Sequence, residues 1–270
     1  MIADKRILIV IPAWNEAGSI ADVVREVGTA LPGVDVLVVD DGSRDRTSAR
    51  ARSAGAAVLQ LPYNLGVGGA MRLGYRYARD HGYDVAIQVD ADGQHDPLFV
   101  PELVAALAGA DLVIGARFAG VGDYAVRGPR RYAMSLLAAV LSRITGSRLT
   151  DTTSGFRAAN RQVIELFARA YPVEYLGDTV ETVVHVARVG LRVVQVPVAM
   201  RARMAGTPSQ SVAKASFYLG RAMVVLGLAL VRRYEPVPPP TLQPPTPRPT
   251  VPGQRRPMDA DPYAVPVQGE

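Results

Sequence analysis

The sequence has 270 residues, and 49% of them are hydrophobic, which is enough for one large α/β domain or two smaller ones. It contains no cysteine, so disulfides, thiolate zinc sites and cysteine nucleophiles are excluded, and a reducing compartment is favoured. The formal net charge of +5 favours a surface that tolerates phosphates or anionic lipid headgroups. The apolar run 7–11 is too short for a signal peptide or a membrane span, so we expect a cytoplasmic protein.

Apolar runs typical of buried strands alternate with helical segments over the first 117 residues. This alternation predicts right-handed βαβ units and a doubly wound, mostly parallel sheet with helices on both faces. Binding residues in such sheets lie at the carboxyl ends of the strands. The predicted strands are 7–11, 34–39, 56–61, 83–89 and 111–115. The first predicted helix follows Ser19, which we expect to cap it, and the next three cover 47–53, 64–80 and 97–108.

The remaining chain divides by composition. We predict helices over 124–145, over 161–170 and from 174, a polar loop over 151–157, and an edge strand over 191–198 because it contains Pro197. Residues 212–234 form an apolar segment with basic residues around it, which is either an interfacial helix on an anionic membrane surface or a buried C-terminal helix. The proline-rich residues 235–270 predict a disordered tail, either a ligand for a proline-reading partner or a solvated linker.

Two acids mark the end of the fourth predicted strand. Asp90 and Asp92 are separated by one small residue, and Gln94 and His95 follow as further possible ligands. Two carboxylates at a strand end can share one divalent cation, whose other positions are usually filled by water and substrate phosphates. The pattern therefore indicates a metal-diphosphate site, and the alternative is an Asp-Gly surface turn.

Six motifs follow one another along the chain. They are PAWNE at 12–16, VVDDGS at 38–43, NLGVGGA at 64–70, DADGQ at 90–94, GARF at 115–118 and DTTSGFR at 151–157. In this order they resemble the family 2 glycosyltransferases, in the branch of dolichyl- and polyprenyl-phosphate mannose and glucose synthases. The resemblance covers about residues 5 to 210 and implies a GT-A nucleotide-sugar fold, a Mg²⁺ or Mn²⁺ cofactor and transfer from a nucleoside-diphosphate sugar. We therefore assign residues 1–211 to a glycosyltransferase domain.

The resemblance also implies roles for individual residues. Asp92 and Gln94 would hold the metal, and Asp90 would contact the nucleotide or share the metal. Arg117 matches a position near the donor diphosphate, and Arg203 the arginine of a loop that closes over it. Ser209 stands where the family has a lysine, which puts that phosphate contact in doubt. The positions that match the family's base- and ribose-binding residues are Pro12, Trp14, Glu16, Val39 and Asp41, and Ala91 belongs to the same donor site.

Acceptor residues are predicted between residues 127 and 181. Arg131, with Arg127 and Arg130, lies where an acceptor phosphate would dock, although a solvated basic helix face is the alternative. Asp178 and Glu181 lie one helical turn apart and are candidates for a general base, which a hydroxyl acceptor needs and an anionic phosphate does not. The alternative for both acids is a helix start favoured by the macrodipole.

We expect a metal-dependent inverting glycosyltransferase that moves a hexose to a polyprenyl phosphate, peripheral on the cytoplasmic face of a membrane and without a nucleic-acid partner. One alternative is transfer to a sugar hydroxyl in glycan assembly. Another is a non-catalytic scaffold that binds nucleotide sugars. A sugar nucleotidyltransferase is disfavoured because the glycine-rich arginine loop expected after its first strand is missing. The sequence does not choose between donors such as UDP-glucose and GDP-mannose.

Overall fold

A computed structural model describes residues 5–117, 129–172 and 177–201, together with residues 224, 226, 227 and 231. The described residues form one seven-stranded sheet with helices on both faces. The strands are β1 Ile7–Ala13, β2 Asp35–Asp40, β3 Ala57–Gln60, β4 Val85–Gln88, β5 Leu112–Arg117, β6 Arg157–Asn160 and β7 Val193–Val198. The helices are α1 Ile20–Ala30, α2 Thr47–Ser53, α3 Val67–Asp80, α4 Val100–Ala106 after a 3₁₀ turn at Pro97–Phe99, α5 Pro129–Thr145, α6 Arg161–Arg169 and α7 Gly177–Arg188.

The strand order is β3-β2-β1-β4-β6-β5-β7, and every pair is parallel except those of β6 with β4 and β5. This confirms the predicted doubly wound, mostly parallel sheet. The predicted edge position of the strand with Pro197 is also confirmed, since β7 lies at the end of the sheet. The antiparallel strand β6 was not predicted, because Arg157–Asn160 has no run of apolar residues and lies between the predicted loop 151–157 and the predicted helix 161–170.

Alternate residues of the central strand face two separate core layers. Leu8 and Val10 of β1 pack in the layer that includes residues of α3, α6 and α7. Ile7, Ile9 and Ile11 pack in the opposite layer with residues of α1 and α4. A strand buried on both faces is a continuous apolar run, which is why the sequence of β1 was readily recognised.

The predicted role of Ser19 as a side-chain cap of α1 is wrong. Ser19 makes no side-chain hydrogen bond to the start of the helix, and its backbone already has helical angles, whereas a capping residue is usually extended. Its hydroxyl instead donates to Glu16 Oε2 at 2.9 Å. The residue therefore helps to hold a side chain of the loop after β1.

The segment 212–234, predicted to be either an interfacial helix or a buried C-terminal helix, is described at four positions. Leu226 is buried in the layer that contains Leu8 and Val10, whereas Val224 and Val231 are exposed. Within the described parts of the chain, no helix has the length and hydropathy needed to span a bilayer.

Candidate functional site

The loops after β1, β2 and β4 lie at one edge of the sheet, because the three strands are neighbours and parallel. The Asp41 N–H donates to the Ala13 carbonyl at 2.8 Å, and the Val89 N–H donates to the Val10 carbonyl at 3.0 Å. These bonds extend the pairing by one residue beyond β2 and β4. The motifs at 12–16, 38–43 and 90–94 are therefore brought together, as expected for the carboxyl edge of a doubly wound sheet.

Reciprocal hydrogen bonds join the loops after β1 and β2. The Asn15 N–H donates to Ser43 Oγ at 2.9 Å, and the Arg44 N–H donates to Asn15 Oδ1 at 2.9 Å. The Glu16 N–H donates to Thr47 Oγ1 at 2.9 Å. Asn15 has a φ of +54°, the left-handed region that asparagine tolerates better than most residues. The two loops thus form one unit although 28 residues separate Asn15 from Ser43.

Asp40, the last residue of β2, and Asp41, which follows it, are both buried, and each holds a loop by accepting backbone hydrogen bonds. Asp40 accepts from the Ser43 N–H at 2.9 Å and from the Ser48 hydroxyl. Asp41 accepts from the N–H groups of Leu65 and Gly66 at 2.7 and 2.8 Å. Burial raises the pKa of Asp41, although these two hydrogen bonds oppose the shift.

The glycine-rich segment at 64–70 is placed by these bonds. Gly66 has a φ of +83°, which favours glycine, and it directly precedes α3. Gly42 also has a positive φ, and a Cβ there would lie 2.7 Å from the Tyr63 carbonyl carbon. Close approach of the 63–64 backbone to the turn after β2 therefore depends on glycine at position 42.

A cleft of about 770 Å³ opens between these loops. Trp14, in the loop after β1, and Tyr63, in the loop after β3, are 54% and 65% exposed. Exposed aromatic side chains of this kind can stack on a planar base. The cleft is lined by Trp14, Asn15, Gly42, Ser43, Arg44, Gln60, Leu61, Pro62, Tyr63 and Asn64.

Sequence reasoning identified Trp14 but missed Asn15, Arg44 and Tyr63 as residues of the cleft. The available signal was their position within or beside the motifs at 12–16, 38–43 and 64–70. Of the other predicted donor residues, Pro12 and Glu16 are half-buried near the edge, and Val39 and Ala91 are buried in the core.

The turn after β4, residues 90–95, holds the predicted metal ligands; we call it the metal turn. Asp92 is buried and accepts from the Gln94 N–H at 3.0 Å, while the Asp90 side chain is 39% exposed and accepts from Gln88 Nε2 at 3.2 Å. His95 is buried with its ring stacked on Phe156 at 4.8 Å between centroids. Its Nδ1 accepts from the Asp90 N–H at 3.0 Å, and its Nε2 lies 3.6 Å from Asp90 Oδ2. His95, proposed above as a possible ligand, supports Asp90 in this arrangement.

The metal turn fits a hard divalent cation. Asp90, Asp92 and Gln94 offer carboxylate and amide oxygens, the donors that Mg²⁺ and Mn²⁺ prefer. A Cβ at Gly155 would lie 3.1 Å from both carboxylate oxygens of Asp90, so this glycine leaves room beside that carboxylate. Among the described residues, no group of three or more His, Cys, Asp or Glu side chains could hold a metal. Hard cations held by one or two carboxylates usually complete their coordination with water or substrate phosphates.

Arg201, which follows β7, is tied to both the metal turn and α1. Its guanidinium pairs with Asp96 at 2.6 Å and with Glu26, and these hydrogen bonds raise the pKa of Arg201. The backbone N–H of Arg201 donates to the Gln94 carbonyl at 3.0 Å. The chain therefore leaves β7 directly beside Gln94.

The predicted acceptor residues are described less completely. Glu181 is half-buried on α7, one turn beyond Asp178. His185 is buried on the same helix. The structure places Arg117 at the end of β5, Arg131 near the start of α5 and Asp178 at the start of α7, and it describes their backbones only. Arg127, Arg203 and Ser209 lie outside the described residues.

The fold and the site define the class of protein. The chain belongs to glycosyl transferase family 2, whose pattern matches residues 8–167, and it is a glycosyltransferase with the GT-A fold. This confirms the predicted family and enzyme class.

The family includes relatives with named activities. The chain is 35% identical over 213 residues to the undecaprenyl-phosphate mannosyltransferase of Micrococcus luteus, which covers 76% of this chain and 88% of that protein. It is 37% identical over 169 residues to the polyprenol monophosphomannose synthase of Mycolicibacterium smegmatis, covering 60% of this chain and 64% of that relative, which is less than two thirds. The predicted resemblance to the synthase branch is therefore confirmed.

Solved structures show the same fold. Glucosyl-3-phosphoglycerate synthase of Mycobacterium tuberculosis, in complex with Mn²⁺, UDP and glucosyl-3-phosphoglycerate, matches with a TM-score of 0.64 at 24% identity, over 86% of this chain and 82% of that chain. The same enzyme in complex with Mg²⁺ and UDP matches with a TM-score of 0.63 at 25% identity, over 86% and 81% of the two chains.

Proposed function

We propose that this protein is a metal-dependent inverting glycosyltransferase that moves a hexose from a nucleoside-diphosphate sugar to a polyprenyl phosphate. The observation that carries the proposal is the placement of Asp90 and Asp92 at the same sheet edge as the cleft between Trp14 and Tyr63. A nucleoside diphosphate has the two groups that such an edge can bind, a planar base and a diphosphate. The names of the Micrococcus and Mycolicibacterium relatives support the lipid-phosphate acceptor.

Asp90, Asp92 and Gln94 are the residues we assign to Mg²⁺ or Mn²⁺. When bound there, the cation would stabilise negative charge that develops on the leaving nucleoside diphosphate. Gln88 Nε2 donates to the Asp90 carboxylate, and His95 Nδ1 accepts from the Asp90 N–H. The Asp92 carboxylate is fixed by the Gln94 N–H. The residues that position the ligands thus come from the same short stretch of chain.

The nucleoside is assigned to the cleft. Its base lies against Trp14 and Tyr63, and the carboxylates of Glu16 and Asp41 are acceptors for ribose hydroxyls or a base N–H, since an ionised carboxylate only accepts. Asp41 already accepts two backbone hydrogen bonds, which fix its direction and leave two lone-pair sites. Pro12, Val39 and Ala91 complete this side of the donor site, and Arg117, Arg203 and Ser209 stay predicted contacts of the diphosphate.

The acceptor reaction is a displacement at the anomeric carbon. An oxygen of the acceptor phosphate forms the new bond to that carbon, and the bond to the donor diphosphate breaks, so the nucleoside diphosphate leaves with the electron pair. A phosphate monoester is already anionic and needs positioning rather than deprotonation. Arg131 is the proposed docking residue, and Asp178 or Glu181 would serve as a general base only for a hydroxyl acceptor.

The domain boundaries and the cellular location are part of the same proposal. We assign residues 1–211 to catalysis and residues 212–234 to a helix that contacts an anionic membrane surface on its cytoplasmic side. Exposed Val224 and Val231 suit such a contact, while buried Leu226 joins the segment to the core. A separate role for residues 235–270, including binding of a proline-reading partner, stays a prediction.

The test is a transfer assay with the purified full chain, Mn²⁺ or Mg²⁺, a panel of UDP- and GDP-sugars, and a short polyprenyl phosphate in detergent. We expect an organic-extractable sugar that forms only with the lipid, and none with Asp92→Ala. Transfer to sugar hydroxyls without transfer to the lipid would leave the enzyme class intact and reject the acceptor. Donor binding without any turnover, unchanged by Asp92→Ala, would instead support a non-catalytic scaffold.

A further inference from the structure

Arg157 is a buried cation that the proposed reaction does not use. Its side chain is 2% exposed, and it is the first residue of β6. Burying a charged group is unfavourable unless hydrogen bonds replace its water. The hydrogen bonds of the Arg157 guanidinium must therefore offset the cost of its burial.

The hydrogen bonds of Arg157 join two parts of the chain. Nε and Nη2 donate to the carbonyls of Ser154 and Thr152, at 2.8 and 3.0 Å, in the loop before β6. Nη1 donates to Thr182 Oγ1 at 2.8 Å, and Nη2 also donates to the Thr179 carbonyl at 3.1 Å, both in α7. The four acceptors are uncharged oxygens. A planar fork with five donors can reach all four at once, which a lysine ammonium with three donors cannot.

The loop end of this bridge lies against the metal turn. Gly155 lies so close to Asp90 that a Cβ there would be 3.1 Å from both carboxylate oxygens. Phe156 stacks on His95, which accepts from the Asp90 N–H. Arg157 itself pairs with Gln88 in the sheet, and Gln88 donates to Asp90. Three consecutive residues thus place the loop before β6 against the support of Asp90.

The helix end of the bridge lies beside the two candidate acceptor acids. Thr179 directly follows Asp178, and Thr182 directly follows Glu181. Thr182 also donates its hydroxyl to the Thr179 carbonyl at 3.2 Å, so both contacts of Arg157 fall on one turn of α7. Fixing this turn fixes the direction in which the backbone presents Asp178 and Glu181.

We propose that Arg157 is a positioning residue that sets the start of α7, and with it the acceptor side of the site, at a fixed distance from the metal turn. The inference rests on the proposed function, because it takes the metal turn as the donor side and α7, together with the helix α5 that packs against it, as the acceptor side. Arg157 touches neither substrate in this arrangement. Its loss acts on the alignment of donor and acceptor, on which displacement rates depend steeply.

The alignment role separates transfer from donor hydrolysis. Hydrolysis needs the donor, the metal turn and water, whereas transfer also needs an acceptor held in line. Arg157→Lys keeps the charge but loses the fork, and we expect about a 100-fold lower kcat for transfer if the variant folds, the order found when a reacting group is misplaced by about 1 Å. The KM for the donor should stay within about twofold of wild type.

Thr182→Val is the milder variant, because it removes one acceptor of Arg157 and keeps the shape of the side chain. We expect about a tenfold lower kcat for transfer to the short polyprenyl phosphate, with Mn²⁺-dependent donor hydrolysis within about twofold of wild type. Thr182→Ser keeps the hydroxyl and should restore transfer. Thr145→Val is the matched control, since Thr145 is a helical threonine of α5 whose hydroxyl donates within its own helix, to the Leu141 carbonyl at 2.9 Å.

Two results would overturn the inference. One is wild-type transfer by Thr182→Val; the other is an equal fall of hydrolysis and transfer in Thr182→Val or, if that protein does not fold, in Arg157→Lys. A failure of the proposed function is seen elsewhere, in wild-type protein that transfers nothing to the lipid phosphate. If wild type uses a sugar hydroxyl, the same ratio of transfer to hydrolysis is measured with that acceptor.

Discussion

The two sides of the site are held by buried charges of opposite sign. After β2, Asp40 and Asp41 accept from backbone N–H groups of the turn at 43 and of the glycine-rich segment at 65–66. Before β6, Arg157 donates to backbone carbonyls of the loop and of α7. Asp41 and Arg157 each join two chain segments that are more than 20 residues apart, while Asp40 holds the turn and helix start that follow it directly. Hydrogen bonds to charged groups are the stronger kind, which suits them to fixing loops.

The carboxylates and the guanidinium differ in how they respond to acid and to substitution. A carboxylate can be protonated, and replacement by an amide turns part of it into a donor. A guanidinium stays charged at every pH that the fold tolerates. The loops after β1 and β2 should therefore respond to acid and to single-atom changes in their carboxylates, while the loop before β6 should respond only to changes in the shape or reach of Arg157.

The largest effect is expected where the two sides meet, at the metal turn. Asp92→Asn keeps an oxygen that can accept from the Gln94 N–H and removes the charge. We expect kcat to fall by about 10²–10³-fold, the size found when one group that stabilises transition-state charge is removed. Transfer and donor hydrolysis should fall together, unlike in Thr182→Val. Direct titration with Mn²⁺ in the presence of UDP or GDP should show weaker metal binding.

Asp22→Asn is the control for Asp92→Asn, because Asp22 is exposed on α1 and its carboxylate pairs with Arg25 one turn away. It should keep wild-type turnover and metal binding. Wild-type metal binding and turnover in Asp92→Asn would remove the metal turn from the mechanism.

The second effect is on the stability of the loops after β2. Asp41→Ala leaves the N–H groups of Leu65 and Gly66 without their acceptors, which should lower the free energy of unfolding by about 2–3 kcal/mol. Asp41→Asn keeps one acceptor and should cost about half as much. Urea denaturation at neutral pH measures both. Equal stability of Asp41→Ala and wild type would show that these bonds do not hold the glycine-rich segment.

A smaller effect is expected at Asn15. Asn15→Ala loses the acceptor for the Arg44 N–H and places alanine at a φ of +54°, so we expect a loss of about 1–2 kcal/mol. Asn15→Gly removes the same acceptor but tolerates the backbone angle. Asn15→Asp keeps a side-chain acceptor for the Arg44 N–H and also tolerates the angle. Stability should therefore fall in the order Asp, Gly, Ala. Nucleotide titration should show the same order in affinity, and a glycine variant weaker than alanine would contradict the backbone argument.

The sequence predicted the parallel part of the sheet well and the junctions poorly. Strands β1 to β5 are apolar runs that any pattern analysis finds. Strand β6 is set by its pairing with β4 and β5, and its residues Arg157–Asn160 carry no local signal. Tertiary pairing overrode the local pattern there.

The site was predicted by motif, and its internal bonds were not. The hydrogen bonds between Asn15 and Ser43 and between Asp41 and Gly66 join residues 28 and 25 positions apart. No rule of sequence spacing predicts them. Arg157 is the sharper case. Arginine is among the residues expected on the surface, so its burial follows only from the carbonyls that surround it in the folded chain.

The smallest expected effect tests the acid sensitivity of the loops after β1 and β2. Burial of Asp45 favours a higher pKa, but hydrogen bonds from Thr47 and from the Ala17 N–H outweigh it, so the pKa of Asp45 is lowered. A lowered folded-state pKa means that its stabilisation is present above the unfolded value near 3.8 and is lost as the pH falls through the folded value. Asp41 has the opposite sign: its raised pKa favours the folded state as the pH falls.

Asp45→Asn should therefore flatten the stability profile on the acid side. Because Asp45 is exposed, we expect only a few tenths of a kcal/mol at neutral pH, and a difference from wild type that shrinks as the pH falls below about 4. Thermal unfolding from pH 3 to 7 measures it. Asp41→Asn should give a difference that grows in the acid range, because the wild type there gains a proton that the variant cannot bind. A difference between Asp45→Asn and wild type that stays constant from pH 7 to pH 3 would show that Asp45 does not carry the acid response of these loops.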